Sequence, residues 1–240
     1  MLPGIMPGLL ALVGGDEFNP GNEPHDRRLA AAAAGRPAYV VATAARDDPE
    51  SAVRTAQRWF GGLGLEIAEL RVRTRAEAGS AEVAGLARPA GLIYIAGGDP
   101  GYVVQVLAGS RVWAAMREAW QDGCALAGSS AGAMALCEWT LIRARWPGHT
   151  DRRPTGALGL VPGCAVLPHY DTFGERWIPS AQRLLGVETL LVGIDERTAA
   201  LRSGGDWRVT GAGGVTLVRG AERTTVASGG VIDGLPAPAA

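Results

Sequence analysis

The segment Cys124–Cys137, C-A-L-A-G-S-S-A-G-A-M-A-L-C, carries the densest chemical information in the chain. An apolar run of strand length leads into Gly128-Ser129-Ser130-Ala131-Gly132, and an apolar run of helical length follows. Gly-x-Ser-x-Gly between a strand and a helix predicts a sharp elbow. The elbow forces its central residue into strained backbone geometry, and small neighbours let the chain pack closely on either side. The central hydroxyl then stands at a helix N-terminus, where free N–H groups and the helix dipole favour developing negative charge. Ser130 occupies the centre and is the expected nucleophile; Ser129 is the competing hydroxyl. The chemistry implied is acyl transfer through a covalent serine intermediate.

A serine hydroxyl needs a base, and the base needs a group to orient it. All basic residues are arginine, so lysine nucleophiles, Schiff bases and phosphate-binding lysines are excluded. Three histidines remain: His25, His149 and His169. His169 lies in V-L-P-H-Y-D, directly after the strand-like stub Ala165–Leu167, which puts it on the same rim as Ser130. His25 and His149 fall in polar stretches and read as a helix-start residue and a surface-loop residue. For the acid, Asp195 and Glu196 follow the apolar run of L-V-G-I-D-E-R-T-A-A. Neighbours in an extended segment face opposite ways, so one of the two is expected to point into the site.

The elements that must hold these residues follow from periodicity. Strand-length apolar runs at Leu9–Val13, Tyr39–Thr43, Leu65–Val72, Leu92–Ala96 and Cys124–Ala127 alternate with helical spacing around 25–35, over 49–60 and over 110–121. Such alternation predicts right-handed crossovers and a mainly parallel sheet covered on both faces, with ligands beyond the carboxyl ends of the strands. Glycine-rich turns at 14–15, 97–98 and 128–132 fall at such ends. After residue 138 the pattern changes. Residues 146–157 read as a polar loop able to act as a lid, and 175–186 as a helix. From 189 onward, short β-rich runs separated by glycine read as edge strands completing the sheet. Residues 1–7 and 228–240 read as loose termini of one domain spanning 1–240.

Composition narrows the function classes. The 240 residues are 47% hydrophobic and 20% charged, with 23 basic and 24 acidic residues and a net charge of −1. Nothing here coats a nucleic-acid backbone, and the N-terminal apolar run is too short to span a bilayer. Cys124, Cys137 and Cys164 are odd in number and lack metal-ligand spacing, which suits a reducing cytosol with neither disulfides nor a structural metal.

The motifs together resemble the peptidase E and cyanophycinase family of serine peptidases, which has a class I glutamine amidotransferase-like, flavodoxin-like fold. The resemblance is carried by Gly14-Gly15, A-G-G-D at Ala96–Asp99, G-S-S-A-G-A at Gly128–Ala133, P-H-Y-D at Pro168–Asp171 and G-I-D-E-R-T-A at Gly193–Ala199. It covers roughly residues 9–220. It implies a three-layer α/β sandwich and a cytoplasmic exopeptidase or dipeptidase with Ser130 as nucleophile and His169 as base, needing no cofactor. Glu196 falls where the cyanophycinase pattern places its acid; the other branch takes its acid nearer the nucleophile, where this chain offers only Glu138. The implied oxyanion hole is the backbone N–H of Gly98 and of Ala131, and Asp99, Ser129 and Arg176 are the expected substrate-binding residues. The expected partner is a small peptide, one containing aspartate among the candidates, with a homodimer as the possible assembly. Departures are Pro100 in place of the family's glutamine after G-G-D, Leu167-Pro168 before the histidine, and an arginine-rich stretch reduced to Arg176 and Arg183. These weaken the case for a cyanophycinase proper acting on β-aspartyl-arginine. A non-catalytic binding protein on the same fold is the contrasting reading. An α/β-hydrolase would need a histidine late in the chain, and an amidotransferase would need cysteine at position 130.

Overall fold

The computed structural model describes residues 6–144 and 150–239. The first half builds β1 (Leu10–Val13), α1 (Glu23–Ala32), β2 (Ala38–Val41), α2 (Pro49–Gly62), β3 (Ala68–Glu69), α3 (Arg75–Ala78), α4 (Ala81–Ala87), β4 (Leu92–Ile95), α5 (Pro100–Leu107), α6 (Arg111–Gln121), β5 (Ala125–Ser129) and α7 (Ala131–Leu136). The second half adds β6 (Cys137–Arg143), β7 (Arg152–Gly156), β8 (Val161–Leu167), a 3₁₀ turn at Gly174–Trp177, α8 (Ile178–Leu185), β9 (Leu190–Ile194), β10 (Thr198–Ser203), β11 (Asp206–Gly211), β12 (Gly214–Arg219) and β13 (Glu222–Ala227).

The α/β class is as expected. The strands form two sheets rather than one. The first has the order β11-β10-β1-β5-β4-β2-β3, with β1, β5, β4, β2 and β3 parallel and β10 and β11 antiparallel at one edge. Alternate residues of its strands feed opposite cores. Leu10, Leu12, Ile93, Ile95 and Leu126 face one side, and Ala11, Val13, Leu92, Tyr94 and Ala127 face the other with α1 and α2. Both faces are therefore buried, which explains strands apolar throughout. The second sheet has the order β13-β12-β9-β8-β6-β7. Helix α7 touches both sheets, so the short elbow helix joins the two halves.

Four expectations are corrected here. The C-terminal β runs do not complete a single sheet: β10 and β11 extend the first, while β9, β12 and β13 belong to the second. Residues 152–156 are not loop but strand β7, paired antiparallel with β6; residues 146–149 of the expected lid lie outside the described residues. Over its described residues, 228–239, the tail is pinned rather than loose. Val231 bridges to Arg208, Ile232 and Leu235 are buried, and the indole of Trp207 donates to the Pro236 carbonyl at 3.0 Å. The backbone of Ala239 donates to the Leu160 carbonyl at 2.8 Å. Burying two large aliphatic side chains outweighs the turn-forming composition that reads as disorder. Of the expected strand at Leu65–Val72, only Ala68–Glu69 pairs, with β2 alone, because it is the edge of its sheet.

Candidate active site

The site forms where the carboxyl ends of β1, β4, β5, β8 and β9 meet. Strand β5 ends at Ser129, and α7 begins at Ala131, leaving Ser130 between them at φ 48° and ψ −108°. A non-glycine residue held there is strained, and strain of this kind concentrates at functional positions. What over-determines it is close packing: a Cβ on Gly128 would meet the Gly132 carbonyl carbon at 2.5 Å, and one on Gly132 would meet the Ile95 carbonyl oxygen at 2.3 Å. The backbone N–H of Ser130 is fixed by the Val13 carbonyl at 2.9 Å. Only small residues on either side allow the turn.

His169 follows β8, also at positive φ, 49°. Its N–H bonds the Gly14 carbonyl at 2.7 Å, and its ring lies over the end of β1. Gly15 is required there. A Cβ at Gly15 would lie 2.3 Å from Cε1 of His169, and its φ of +124° also favours glycine. The imidazole Nε2 stands 3.1 Å from Ser130 Oγ, and Nδ1 stands 2.7 Å from Glu196 Oε1. Glu196 is held in turn through its backbone N–H, which donates to Asp171 Oδ1 at 3.0 Å. One of the two acids enters the site, as expected, although Glu196 lies in the turn after β9 and not in an extended segment; Asp195 points away and accepts from Gly214 N–H at 2.8 Å, and its burial raises its pKa. Glu138 is also elsewhere, accepting from Gly163 N–H at 2.6 Å.

The N–H groups of Ala131, which directly follows Ser130, and of Gly98, next to the Gly97 that packs against the Ser130 side chain, carry no acceptor among the described residues. Gly98 has φ +139°, and a Cβ there would meet the Ala44 carbonyl oxygen at 2.1 Å. Two free N–H donors beside a nucleophile can receive a developing oxyanion.

The remaining expected residues are placed differently. Ser129 is fully buried, so it does not face substrate; its hydroxyl donates to Glu17 Oε2 at 2.8 Å. Asp99 caps α5, accepting from Tyr102 N–H at 3.0 Å, and pairs with Arg46 at 3.5 Å. Arg176 lies exposed in the 3₁₀ turn and makes no side-chain contact with Ser130 or His169. His25 lies in the first turn of α1, at the helix start as expected, and is buried beside Asn22, where burial lowers its pKa to about 4. His149 lies outside the described residues.

Glu17 was not foreseen. Besides the Ser129 hydroxyl it accepts the N–H of Gly97 at 2.6 Å, so one carboxylate ties the elbow to the Gly97-Gly98 turn. The signal for it was present: Gly14-Gly15-Asp16-Glu17 is a carboxylate just beyond a strand's carboxyl end.

A parallel α/β sheet bearing a strained serine at the head of a helix, hydrogen-bonded to an imidazole that a carboxylate holds, defines a serine hydrolase. The sequence model of peptidase family S51 matches residues 9–210, and the chain belongs to that family: it is a serine peptidase. It is similar to the crystal structure of a peptidase from an acI-B1 Actinobacterium, at 31% identity over 95% of this chain and 98% of that one, with a TM-score of 0.83. It shares its fold with a putative peptidase E protein from Listeria monocytogenes EGD-e, at 17% identity over 92% of this chain and 98% of that one, with a TM-score of 0.58. No curated protein matches the chain. None of the helices among the described residues is long and apolar enough to cross a membrane.

Proposed function

We propose that the protein is a serine exopeptidase that hydrolyses small peptides through Ser130, His169 and Glu196. The observation that carries this reading is the unbroken chain from Ser130 Oγ to His169 Nε2 at 3.1 Å and from Nδ1 to Glu196 Oε1 at 2.7 Å, at a strained elbow. Ser130 Oγ attacks the scissile carbonyl carbon, and its proton passes to His169 Nε2. Glu196 accepts Nδ1–H, fixing the tautomer and stabilising the imidazolium. The carbonyl oxygen, now negative, takes the N–H groups of Gly98 and Ala131. His169 returns the proton to the departing amine nitrogen as the C–N bond breaks. Water, deprotonated by the same imidazole, then releases the acid product and restores Ser130. The three cysteines are buried and unpaired, in keeping with a reducing, cytoplasmic setting.

An aspartyl preference would need a cation at the substrate's first side chain. Arg176 is the nearest candidate by sequence, and the structure gives it no contact with the site. The substrate is therefore best found by screening. A mass-spectrometric screen of peptides varied at the first two positions, with β-aspartyl-arginine included, compares wild type with Ser130→Ala and Glu196→Gln. The expected result is cleavage by wild type, a loss of about 10³-fold or more in Ser130→Ala, and a loss of about 10²- to 10⁴-fold in Glu196→Gln. Equal cleavage by wild type and Ser130→Ala would remove Ser130 from the mechanism.

A further inference from the structure

Phe173 is a large apolar side chain left 39% exposed beside the site, and its ring stacks on that of His169 with centroids 4.8 Å apart at 21°. This placement is enforced by the backbone. The His169 carbonyl accepts the N–H groups of Thr172 at 3.1 Å, Phe173 at 2.9 Å and Gly174 at 2.8 Å, folding the chain back onto the imidazole. Gly174 permits the fold, since a Cβ there would meet the Pro168 carbonyl oxygen at 2.1 Å. Behind Phe173, the buried ring of Trp177 packs at 5.6 Å, and the Arg152 guanidinium covers Trp177 at 3.8 Å. Phe173 is thus a supported wall with one face on the base and an edge in solvent. Exposing an aromatic ring wastes apolar burial unless something covers it.

We propose that Phe173 forms an apolar subsite for the residue immediately after the scissile bond, so that the enzyme prefers peptides with a leucine-like or aromatic residue at that position. The inference rests on the proposed roles of Ser130 and His169. In that mechanism His169 protonates the leaving amine, so the leaving residue's nitrogen must come within hydrogen-bond reach of Nε2. The side chain attached one bond beyond that nitrogen then lies against whatever covers the imidazole. Here that is Phe173. A glycine or serine at this position would leave the ring exposed to water, and an aspartate would place its charge against an apolar face.

The test compares peptides that share the first residue wild type accepts best and carry leucine, phenylalanine, glycine, serine or aspartate second. For each, kcat/KM is measured with wild type, Phe173→Leu and Phe173→Ala. The expected wild-type preference for leucine over glycine is about 10-fold or more, a scale typical of one apolar side chain in a partly open pocket. Phe173→Leu should keep most of that ratio, and Phe173→Ala should cut it about 5-fold. Because the ratio is read within each variant, any general loss from disturbing His169 cancels. A wild-type ratio near one, or a ratio unchanged in Phe173→Ala, overturns the subsite while leaving the peptidase reading intact. The same peptides are titrated calorimetrically onto Ser130→Ala with and without Phe173→Ala. A leucine-over-glycine difference in Kd that disappears with Phe173→Ala supports the subsite even if no peptide is cleaved, the outcome that would sink the hydrolytic reading alone. Equal Kd values for all peptides overturn it.

Discussion

Glu17 illustrates how a single carboxylate can matter without touching the reacting atoms. Its two oxygens accept Gly97 N–H and the Ser129 hydroxyl, the residues just before the proposed oxyanion donor Gly98 and the nucleophile Ser130. Hydrogen bonds to a charged acceptor in a partly buried setting contribute about 1.5–3 kcal/mol each. Removing them should loosen the spacing between donor and nucleophile rather than abolish binding. Glu17→Ala is therefore expected to lower kcat about 10-fold, with a smaller change in KM. Glu17→Gln should retain most activity: its amide oxygen can accept Gly97 N–H while its NH₂ donates to Ser129 Oγ. Steady-state kinetics on both variants, with thermal melts to confirm folding, decide the matter. If Glu17→Gln is as impaired as Glu17→Ala while equally stable, the charge itself is used and the positioning role is wrong. Sequence reasoning singled out Ser130 and His169 because each follows an apolar run in a short motif, it left Asp195 and Glu196 open until the family resemblance pointed to Glu196, and the structure brings these three side chains into one hydrogen-bonded chain. It missed Glu17 because that residue acts across 80 positions of chain, and nothing local marks which distant N–H it will accept. It misplaced Ser129 for a related reason: adjacent residues at the end of β5 face opposite sides, and the hydroxyl beside the nucleophile is buried.

The ends of the strands set the spacing between these groups, and β1 is the clearest case. It leaves the sheet through Gly14 and Gly15, and the His169 ring rests where any side chain on Gly15 would stand. Gly15→Ala would bring a methyl group to 2.3 Å from Cε1 of His169. The ring must then move away from Ser130 Oγ, and a displacement near 1 Å at a reacting group costs about 10²-fold in rate. Activity is expected to fall by that order, with the melting temperature lowered modestly by the strained φ. Gly61→Ala is the control. It makes the same change in helix α2, where the added Cβ meets open space, and should leave activity unaltered and stability slightly raised. Equal activity in Gly15→Ala and wild type would mean that His169 is not held by this strand end. At this scale the sequence was legible wherever the element was local. Helices α1, α2 and α6 and strands β4 and β5 fall within a few residues of their expected bounds, because apolar spacing alone defines them. Helix α5 went unread although Asp99-Pro100 is a cap followed by proline at the first turn, a recognisable start signal. The division of the β runs into two sheets could not be read, since β6 pairs in parallel with β8 and β8 with β9 through contacts that leave no local pattern.

Across the whole molecule, the same buried faces that position the site also hold polar groups whose protonation is tied to folding. Asp26 and His25 both lie fully buried in α1, and the Asp26 carboxyl accepts the indole N–H of Trp59 from α2 at 2.8 Å. Burial dominates for both groups: it raises the Asp26 pKa from 3.8 to about 7 and lowers that of His25 from 6.5 to about 4. Each is therefore neutral in the folded protein over the intervening range, and the signs oppose. For Asp26 the folded state keeps a proton that the unfolded state releases above 3.8, so stability falls as pH rises from there to about 7. For His25 the unfolded state takes up a proton below 6.5 that the folded state refuses until about 4, so stability falls as pH drops through that window. Between about 4 and 6.5 the two slopes cancel, and the native protein hides both. Asp26→Asn breaks the cancellation while leaving an oxygen for the Trp59 N–H. Its stability relative to wild type is expected to climb with pH by about 1.4 kcal/mol per unit between those limits. Conversely, His25→Gln should gain on wild type as pH falls through the same interval. Thermal or urea melts at half-unit steps from pH 4 to 8 measure both differences, and carboxylates elsewhere cancel in the comparison. Parallel wild-type and Asp26→Asn curves would show that burial does not raise the Asp26 pKa in the fold.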